Sequence, residues 1–460
     1  MRLFSMYRWV RNSHKLSLRS RGFMEAPWAG GVVLLACVAV AMLLANLPLT
    51  KEYYHNLLET DLSLAVHSPN GLIDWVFPQG MTVEKFINDC LMVIFFFTVG
   101  LEIKREVVNG QLSSVRKAIL PVVAAAGGML APALIFALFN HGTLAANGWG
   151  IPTATDIAFA VGILSMLGDR VPVSLKIFLT ALAIADDLGA ILVIALFYGG
   201  ELQLGLLLIA LLIMAGVYVA YRMGEKRMIF YLVPAVAVWG LFYYSGIHAT
   251  LSGVAMALLI PMEPRYSKEY FVHKMRWLKD HLLAVEASQE EFPNEEHRFY
   301  LRQMSRLGAN SVGMSYRLEH ALAPYVTFLI MPIFALANAG VEITSLEYVN
   351  IFHYSPEIGS VGMGVFFGLL AGKPLGIFAA SWLAVKSKAA EMPEGATWRM
   401  LLAVACLGGI GFTMSLFVDS LAYTDADLID RGKIAILMGS TAAAAAGSLL
   451  IVLFSKKQPR

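Results

Sequence analysis

Charge is what this chain has least of. Only 15% of its 460 residues are Asp, Glu, Lys or Arg, against 58% hydrophobic. A soluble domain carries about 25% charged residues. The deficit excludes a protein with an all-aqueous surface and leaves much of this one facing lipid. Cysteine is scarce as well. Cys37, Cys90 and Cys406 sit in apolar stretches, at spacings that suit neither a disulfide framework nor a zinc cluster. The net charge is only +2, and no nucleic-acid partner is expected. A leader pattern is also missing. Residues 1–26 are basic (Arg2, Arg8, Arg11, Lys15, Arg19, Arg21), but the apolar run from Pro27 to Pro48 is too long for an ordinary leader core. It reads as a retained spanning helix.

What the chain has in quantity is long apolar runs. A helix crossing the bilayer needs roughly 20 mostly apolar residues. Twelve segments qualify: about 27–48, 86–107, 117–139, 149–167, 174–198, 204–222, 228–245, 247–261, 321–338, 360–385, 400–420 and 434–454. An even number puts both termini on one side. Thirty of the 35 Lys and Arg then fall on that side, four (Lys51, Lys85, Arg431, Lys433) fall opposite, and Lys373 is left inside the membrane. By the positive-inside rule both termini are cytoplasmic. The expected fold is therefore an all-α polytopic membrane protein with 12 transmembrane helices. The segment 27–455 forms one transport domain behind the basic segment 1–26.

Two loops are long. Residues 49–80, on the outer face, carry the turn signals Pro69, Asn70-Gly71 and Pro78-Gln79-Gly80 and are expected to form a small hairpin or short helix. Residues 262–318 form a charged cytoplasmic insertion. There Phe271, Met275, Leu278, Leu282 and Val285 recur at helical spacing, and a second helix over 294–307 could pair with them. Such a hairpin either packs on the membrane domain or binds a regulatory partner.

Four charges stand where charge is expensive. Asp186 and Asp187 lie midway along ALAIADDLGAILV, Asp156 within PTATDIAFA and Lys373 within FGLLAGKPLGIF. An Asp at the centre of a span costs about 2.5–3.5 kcal/mol, so four isolated charges would cost on the order of 10 kcal/mol. A shared polar site is the economical alternative, and such residues mark ion paths. Successive helix residues point about 100° apart, so Asp186 and Asp187 cannot face one spot alike. One can pair with Lys373 while the other faces water. Two carboxylates at close range repel, so a proton and a metal cation can compete for the pair. The alternative is a buried charge cluster that only pins helices together.

Two spans are interrupted by composition. Pro152, Thr153, Thr155 and Gly162 fall within the fourth, and Gly408, Gly409, Gly411 and Thr413 within the eleventh. Pro removes a backbone donor and Thr hydroxyls compete for carbonyls. Close packing through small residues is the other reading of the glycines. Span 4 is the middle of spans 3–5, and span 11 the middle of spans 10–12. Under the topology above the two triplets are inverted three-helix repeats. Discontinuous helices 4 and 11 at matching positions point to a transport site.

Taken together, FFFTVGLEIKREVVNGQL, GIPTATDIAFAVGIL, FLTALAIADDLGAILVIALFY, GIHATLSGV, FALANAG, GKPLGI and GGIGFTMSLF make the chain resemble the NhaA-type bacterial sodium/proton antiporters over about 85–420. The resemblance implies a multi-pass protein of the bacterial inner membrane with crossed broken helices. It implies Asp187 as primary ligand of the transported Na⁺, Asp186 as partner of Lys373, and Thr155 and Asp156 as broken-helix residues at the site. No cofactor is expected; Na⁺, Li⁺ and H⁺ are cargo. Glu102 and Asp89 match acids of the family's second helix. They are 13 residues apart, about 20 Å along a helix, and each reads equally as an interfacial charge. His248, Glu319 and His320, with Glu102, match positions tied to pH response, and a His titrates near neutrality. A structural His is the alternative. The chain departs from the family in having Ala323 where a second His is expected shortly after His320, and in its long insertion before Glu319. By position, residues 49–80 match the family's protomer-pairing hairpin, which implies a homodimer.

The expected activity is electrogenic Na⁺(Li⁺)/H⁺ antiport by alternating access, extruding sodium for pH and sodium homeostasis. Carboxylate and hydroxyl oxygens suit a hard cation. A sodium-coupled solute transporter of the same fold would need a larger polar lining. An intramembrane aspartic protease would need two facing Asp on separate helices, which the adjacent Asp186 and Asp187 with Lys373 fit poorly. No enzymatic activity is expected.

Overall fold

The structure is a computed structural model and describes residues 26, 28–62, 64–67, 74–77, 80–200, 202–284, 294–343, 350–356 and 358–455. The basic segment 1–26, apart from Ala26, and Val285 lie outside the described residues.

The chain begins with α1 (Ala29–Asn46) and the short α2 (Lys51–Glu59). Strands β1 (Leu64–His67) and β2 (Asp74–Phe77) follow as an antiparallel pair, Leu64 opposite Phe77. The 49–80 segment thus holds both a short helix and a strand pair, in keeping with its turn signals. The helical run resumes with α3 (Val83–Asn109) and α4 (Val115–Asn140). A 3₁₀ segment (Leu144–Thr153) leads into α5 (Ile157–Met166), then come α6 (Val173–Phe197), α7 (Leu204–Arg222), α8 (Ile229–Ser245) and α9 (Thr250–Leu259). Polar helices α10 (Lys268–Ala284) and α11 (Glu295–Asn310) precede α12 (Met314–Asn338) and α13 (Val361–Lys386). The chain ends with α14 (Trp398–Gly408), α15 (Phe412–Ala422) and α16 (Ala426–Phe454).

Among the described residues eight helices (α1, α3, α4, α6, α7, α12, α13, α16) are long and apolar enough to cross a membrane. Two helix pairs are apolar enough together but bent at a short break: the 3₁₀ segment with α5, at 42°, and α14 with α15, at 47°. Helices α8 and α9 are apolar but shorter. The protein is a polytopic helical membrane protein. Helices suit lipid because they satisfy every interior backbone group within the segment. Side chains close the exposed ends: Thr82, Ser360, Thr397 and Asp425 each accept a backbone N–H at the start of α3, α13, α14 and α16. The Asp425 cap starts α16 eight residues before the apolar run at about 434, so Arg431 and Lys433 lie inside a helix rather than in a loop.

Two compact units are distinguished. The first comprises residues through Phe95, Glu106–Gly199 and Pro324 onward. Its centre is the crossing of α4 and α13 at Gly127 and Gly376. A Cβ on Gly376 would lie 2.1 Å from the Gly127 carbonyl oxygen, and one on Gly127 2.5 Å from that of Gly376. Only glycine allows this backbone approach. One residue along, Gly128 faces Ile377 and the Asp186 carboxylate, while Gly189 of α6 receives Met129. Helix α4 is thus the strut that holds α13, which carries Lys373, beside α6, which carries the two aspartates.

The second unit comprises Phe96–Arg105 and Gly200–Ala323. Leu101, Val217, Tyr231, Val238, Phe242, Met256 and Leu318 belong to its apolar core. Helices α10 and α11 pair as the sequence suggests, burying Leu278 and Leu307. Asn294 caps α11 through the His297 N–H at 2.9 Å.

Candidate functional site

The first unit gathers Thr155, Asp156, Asp186, Asp187, Lys373 and Thr413, each no more than 1% exposed. A π turn over Gly368–Gly372 immediately precedes Lys373. Its extra residue turns the lysine relative to a regular helix, as such turns often do at functional sites. Lys373 Nζ donates to Asp186 Oδ2 and to the Thr155 hydroxyl. The single hydrogen of that hydroxyl has two acceptors within reach, Asp186 Oδ2 at 2.5 Å and the Gly408 carbonyl at 2.8 Å. Asp187, one residue on, also acts electrostatically on Lys373. Asp186 Oδ1 has no hydrogen-bond partner among the described residues. A buried lone oxygen of this kind is costly unless a proton or cation joins it.

Asp156 lies at the crossing of the two breaks. Its backbone N–H donates to the Ile410 carbonyl at 2.7 Å. Its side chain caps α5, with Oδ1 accepting from the Phe159 N–H at 3.0 Å. Oδ2 accepts from the Thr413 N–H at 3.2 Å and the Thr413 hydroxyl at 2.5 Å, at the start of α15. Two helix N-termini therefore point at one carboxylate. Each carries about half a positive charge, so a single Asp offsets both. The C-terminal carbonyl end of α14, at Gly408, meets instead the Thr155 hydroxyl that Lys373 contacts. Fixed charge and helix end match in sign at each point.

The glycines serve both breaking and packing. Gly408 ends α14, and Gly409 and Gly411 form the gap. A Cβ on Gly409 would lie 2.3 Å from the Leu369 carbonyl oxygen of α13. Gly162 lies inside α5, away from the interruption. Phe412, with φ of +22°, opens α15 in a conformation that non-glycine residues rarely adopt. Its N–H is held by Ser440 Oγ at 3.1 Å and its ring stacks on Phe159.

The residues matched to pH response, Glu102, His248, Glu319 and His320, all lie in the second unit. In the second unit Arg105 pairs with Glu319 and lies 3.7 Å from Glu102. His320 is exposed, with its ring centroid 3.9 Å from that of Tyr316 and the planes tilted by 32°. His248 is half-buried in the turn between α8 and α9. Asp89 lies in the first unit, in a π turn of α3.

Sequence reasoning missed Arg105 as the Glu319 partner, Ser440 and Ser415. Ser415 ties α15 to the Ile151 carbonyl at 2.7 Å. It also missed Asp419, a fully buried carboxylate on α15. The signal was available, because Asp419 is a charge within an apolar span, but it lies near the end of that span.

The family model described as Na⁺/H⁺ antiporter 1 matches residues 21–451. The chain belongs to that family. Its relatives agree over nearly their whole length. The Na(+)/H(+) antiporter NhaA of Acidithiobacillus ferrooxidans is 43% identical over 95% of this chain and 97% of its own. Those of Wolinella succinogenes and Caulobacter vibrioides are 40% and 41% identical, over 95% and 98% of this chain and 94% of each relative. The broken pairs and the buried aspartates therefore sit in a chain of the antiporter family.

Proposed function

We propose that the protein is an electrogenic Na⁺/H⁺ antiporter, accepting Li⁺ as a near-neighbour, that extrudes sodium by alternating access. The observation that carries the reading is the Lys373–Asp186–Thr155 contact beside Asp187, at the crossing of two broken helices. Eight long apolar helices, two bent pairs and two shorter apolar helices are consistent with twelve spans. Long, broken, long helices occur in sequence twice, at α4–α6 and α13–α16, as two inverted repeats require. Both termini, the basic segment 1–26 and the 262–318 hairpin are assigned to the cytoplasm of a bacterial inner membrane. The 49–80 hairpin is assigned to the outer face, where it pairs two copies.

From the cytoplasm Na⁺ enters against Asp187, with hydroxyl and carbonyl oxygens of the breaks as further donors. The protonated Asp186 and Asp187 carboxyl groups give up their protons to cytoplasmic water and become carboxylates. The loaded site opens outward, Na⁺ leaves, and protons from outside rebind. Two carboxylates take two protons for one Na⁺, so one net charge crosses per cycle, which the membrane potential drives with about 2.3 kcal/mol per 100 mV.

Cation-induced proton flux in everted vesicles tests this. Asp187→Asn is expected to abolish Na⁺- and Li⁺-dependent flux. Normal exchange by that variant refutes the site, and a wild type silent to both cations from neutral to alkaline pH refutes antiport.

A further inference from the structure

Asp419 is not used by the exchange described above. It lies on α15, two turns beyond the break, with 0% exposure. Neither carboxylate oxygen has a hydrogen-bond partner among the described residues, and no ion pair within 4.0 Å reaches it there. Its place is shaped for a carboxylate. A Cβ on Gly432 of α16 would stand 2.0 Å from Asp419 Oδ1, so the acid fills the space that glycine leaves. The charged groups acting on it are Lys433 and Asp430 of α16. Tyr198, just beyond α6, and Tyr423, just beyond α15, also interact with it electrostatically. Both hydroxyls are engaged elsewhere: Tyr198 donates to the Asn147 carbonyl and Tyr423 to that of Ala145, each at 2.8 Å. The segments packed on α15 from Leu144–Thr153 and from Met331–Asn338 present no ionisable side chain toward it.

Position gives this acid a direction. Gly411, Ser415 and Asp419 are spaced i, i+4, i+8 and form one stripe on α15 that starts at the break. Asp419 is six residues past Thr413, about 9 Å along the helix. In the proposed orientation α15 is the outer half of its span, so the stripe runs from the site toward the outside.

We propose that Asp419 is a proton-loading station on the outer limb of the path. An ionised carboxylate buried without partners is expensive, and it neutralises by taking a proton. A proton from external water binds an Asp419 carboxylate oxygen. It passes along the stripe, through water, to the Asp186 and Asp187 carboxylates as Na⁺ leaves. Asp419 returns to the carboxylate, held by the Lys433 charge, until the next proton arrives. This role rests on the antiport reading, whereas the proton-binding group itself does not.

The test uses the full-length protein and two measurements. Infrared difference spectra of the purified protein, taken across external pH, are expected to show a protonated-carboxyl band that Asp419→Asn removes. In proteoliposomes Asp419→Asn is expected to slow Na⁺ exchange by about tenfold or more at alkaline external pH. Acidifying the outside should restore the rate, Asp419→Glu should retain it, and equilibrium Na⁺ binding should stay within about twofold of wild type. A spectrum in which Asp419→Asn removes no band, or an Asp419→Asn exchanger as fast as wild type at every external pH, overturns the proposal. A wild type that shows the band but exchanges no Na⁺ sinks the antiport reading and keeps Asp419 as a proton-binding group.

Discussion

Replacing Lys373 by methionine keeps most of its length and removes its charge. The side chain is fully buried, as is its partner Asp186. Breaking a buried pair by removing one partner costs about 3–5 kcal/mol, because the other charge stays in low dielectric. Lys373→Met should therefore destabilise the protein by that amount, and Asp186→Asn should do the same by stranding the ammonium. In the double variant neither charge remains, and the amide oxygen introduced at position 186 would still accept from Thr155. Its cost should fall well short of the sum, with a coupling of about 2–3 kcal/mol. Reversible SDS-titrated unfolding of the four proteins in detergent measures each value. The reasoning fails if the double variant is as unstable as the two single losses added together. That result would mean the two charges are stabilised separately and do not act as a pair.

Other contacts make sharper local claims. Thr413→Val removes the hydroxyl that Asp156 accepts at 2.5 Å and should cost about 1–3 kcal/mol in the same unfolding assay. Gly376→Ala places a Cβ 2.1 Å from a backbone oxygen of α4; the overpacked crossing should lose about 1–3 kcal/mol, and an unchanged midpoint would contradict the crossing. Glu319→Gln removes the charge from the Arg105 pair and should shift the pH profile of exchange while leaving its maximum within a few-fold, as pH-stepped vesicle assays can show.

The eight long spanning helices were legible because lipid imposes one demand on them all, a long apolar run. The helix ends were not, because caps set them. Hydropathy sees Arg431 and Lys433 as loop, while Asp425 closes the first turn of α16 below them. The costly aspartates at 156, 186 and 187 announce themselves against apolar neighbours. Which atoms meet does not follow from composition. The Thr155–Lys373 contact depends on the azimuth of α13 after a π turn, and nothing in GKPLG encodes that turn. Asp419 was equally visible as a charge. Its place near the end of α15 made it resemble an interfacial residue, and only its burial against Gly432 separates the two. The strut role of Gly127 and Gly376 was hidden for a different reason, since a glycine in an apolar helix carries no periodic signal.

The break and the lysine helix meet backbone to backbone, and this contact can be tested alone. Gly409 faces the Leu369 carbonyl, which lies inside the π turn that aims Lys373. A methyl group at residue 409 would stand 2.3 Å from that oxygen, and no flexible side chain is there to yield. Gly409→Ala must push α13 and the break apart by about an ångström to reach ordinary contact distance. Lys373 and Thr155 sit on opposite sides of that gap, so their hydrogen bond should lengthen with it. The expected result is a stability loss of about 1–3 kcal/mol together with weaker Na⁺ binding. Gly162→Ala, inside α5 and away from the break, serves as the control and should leave Na⁺ binding unchanged. If Gly409→Ala loses stability yet binds Na⁺ as wild type does, the helices only pack at this point and the π turn does not set the lysine.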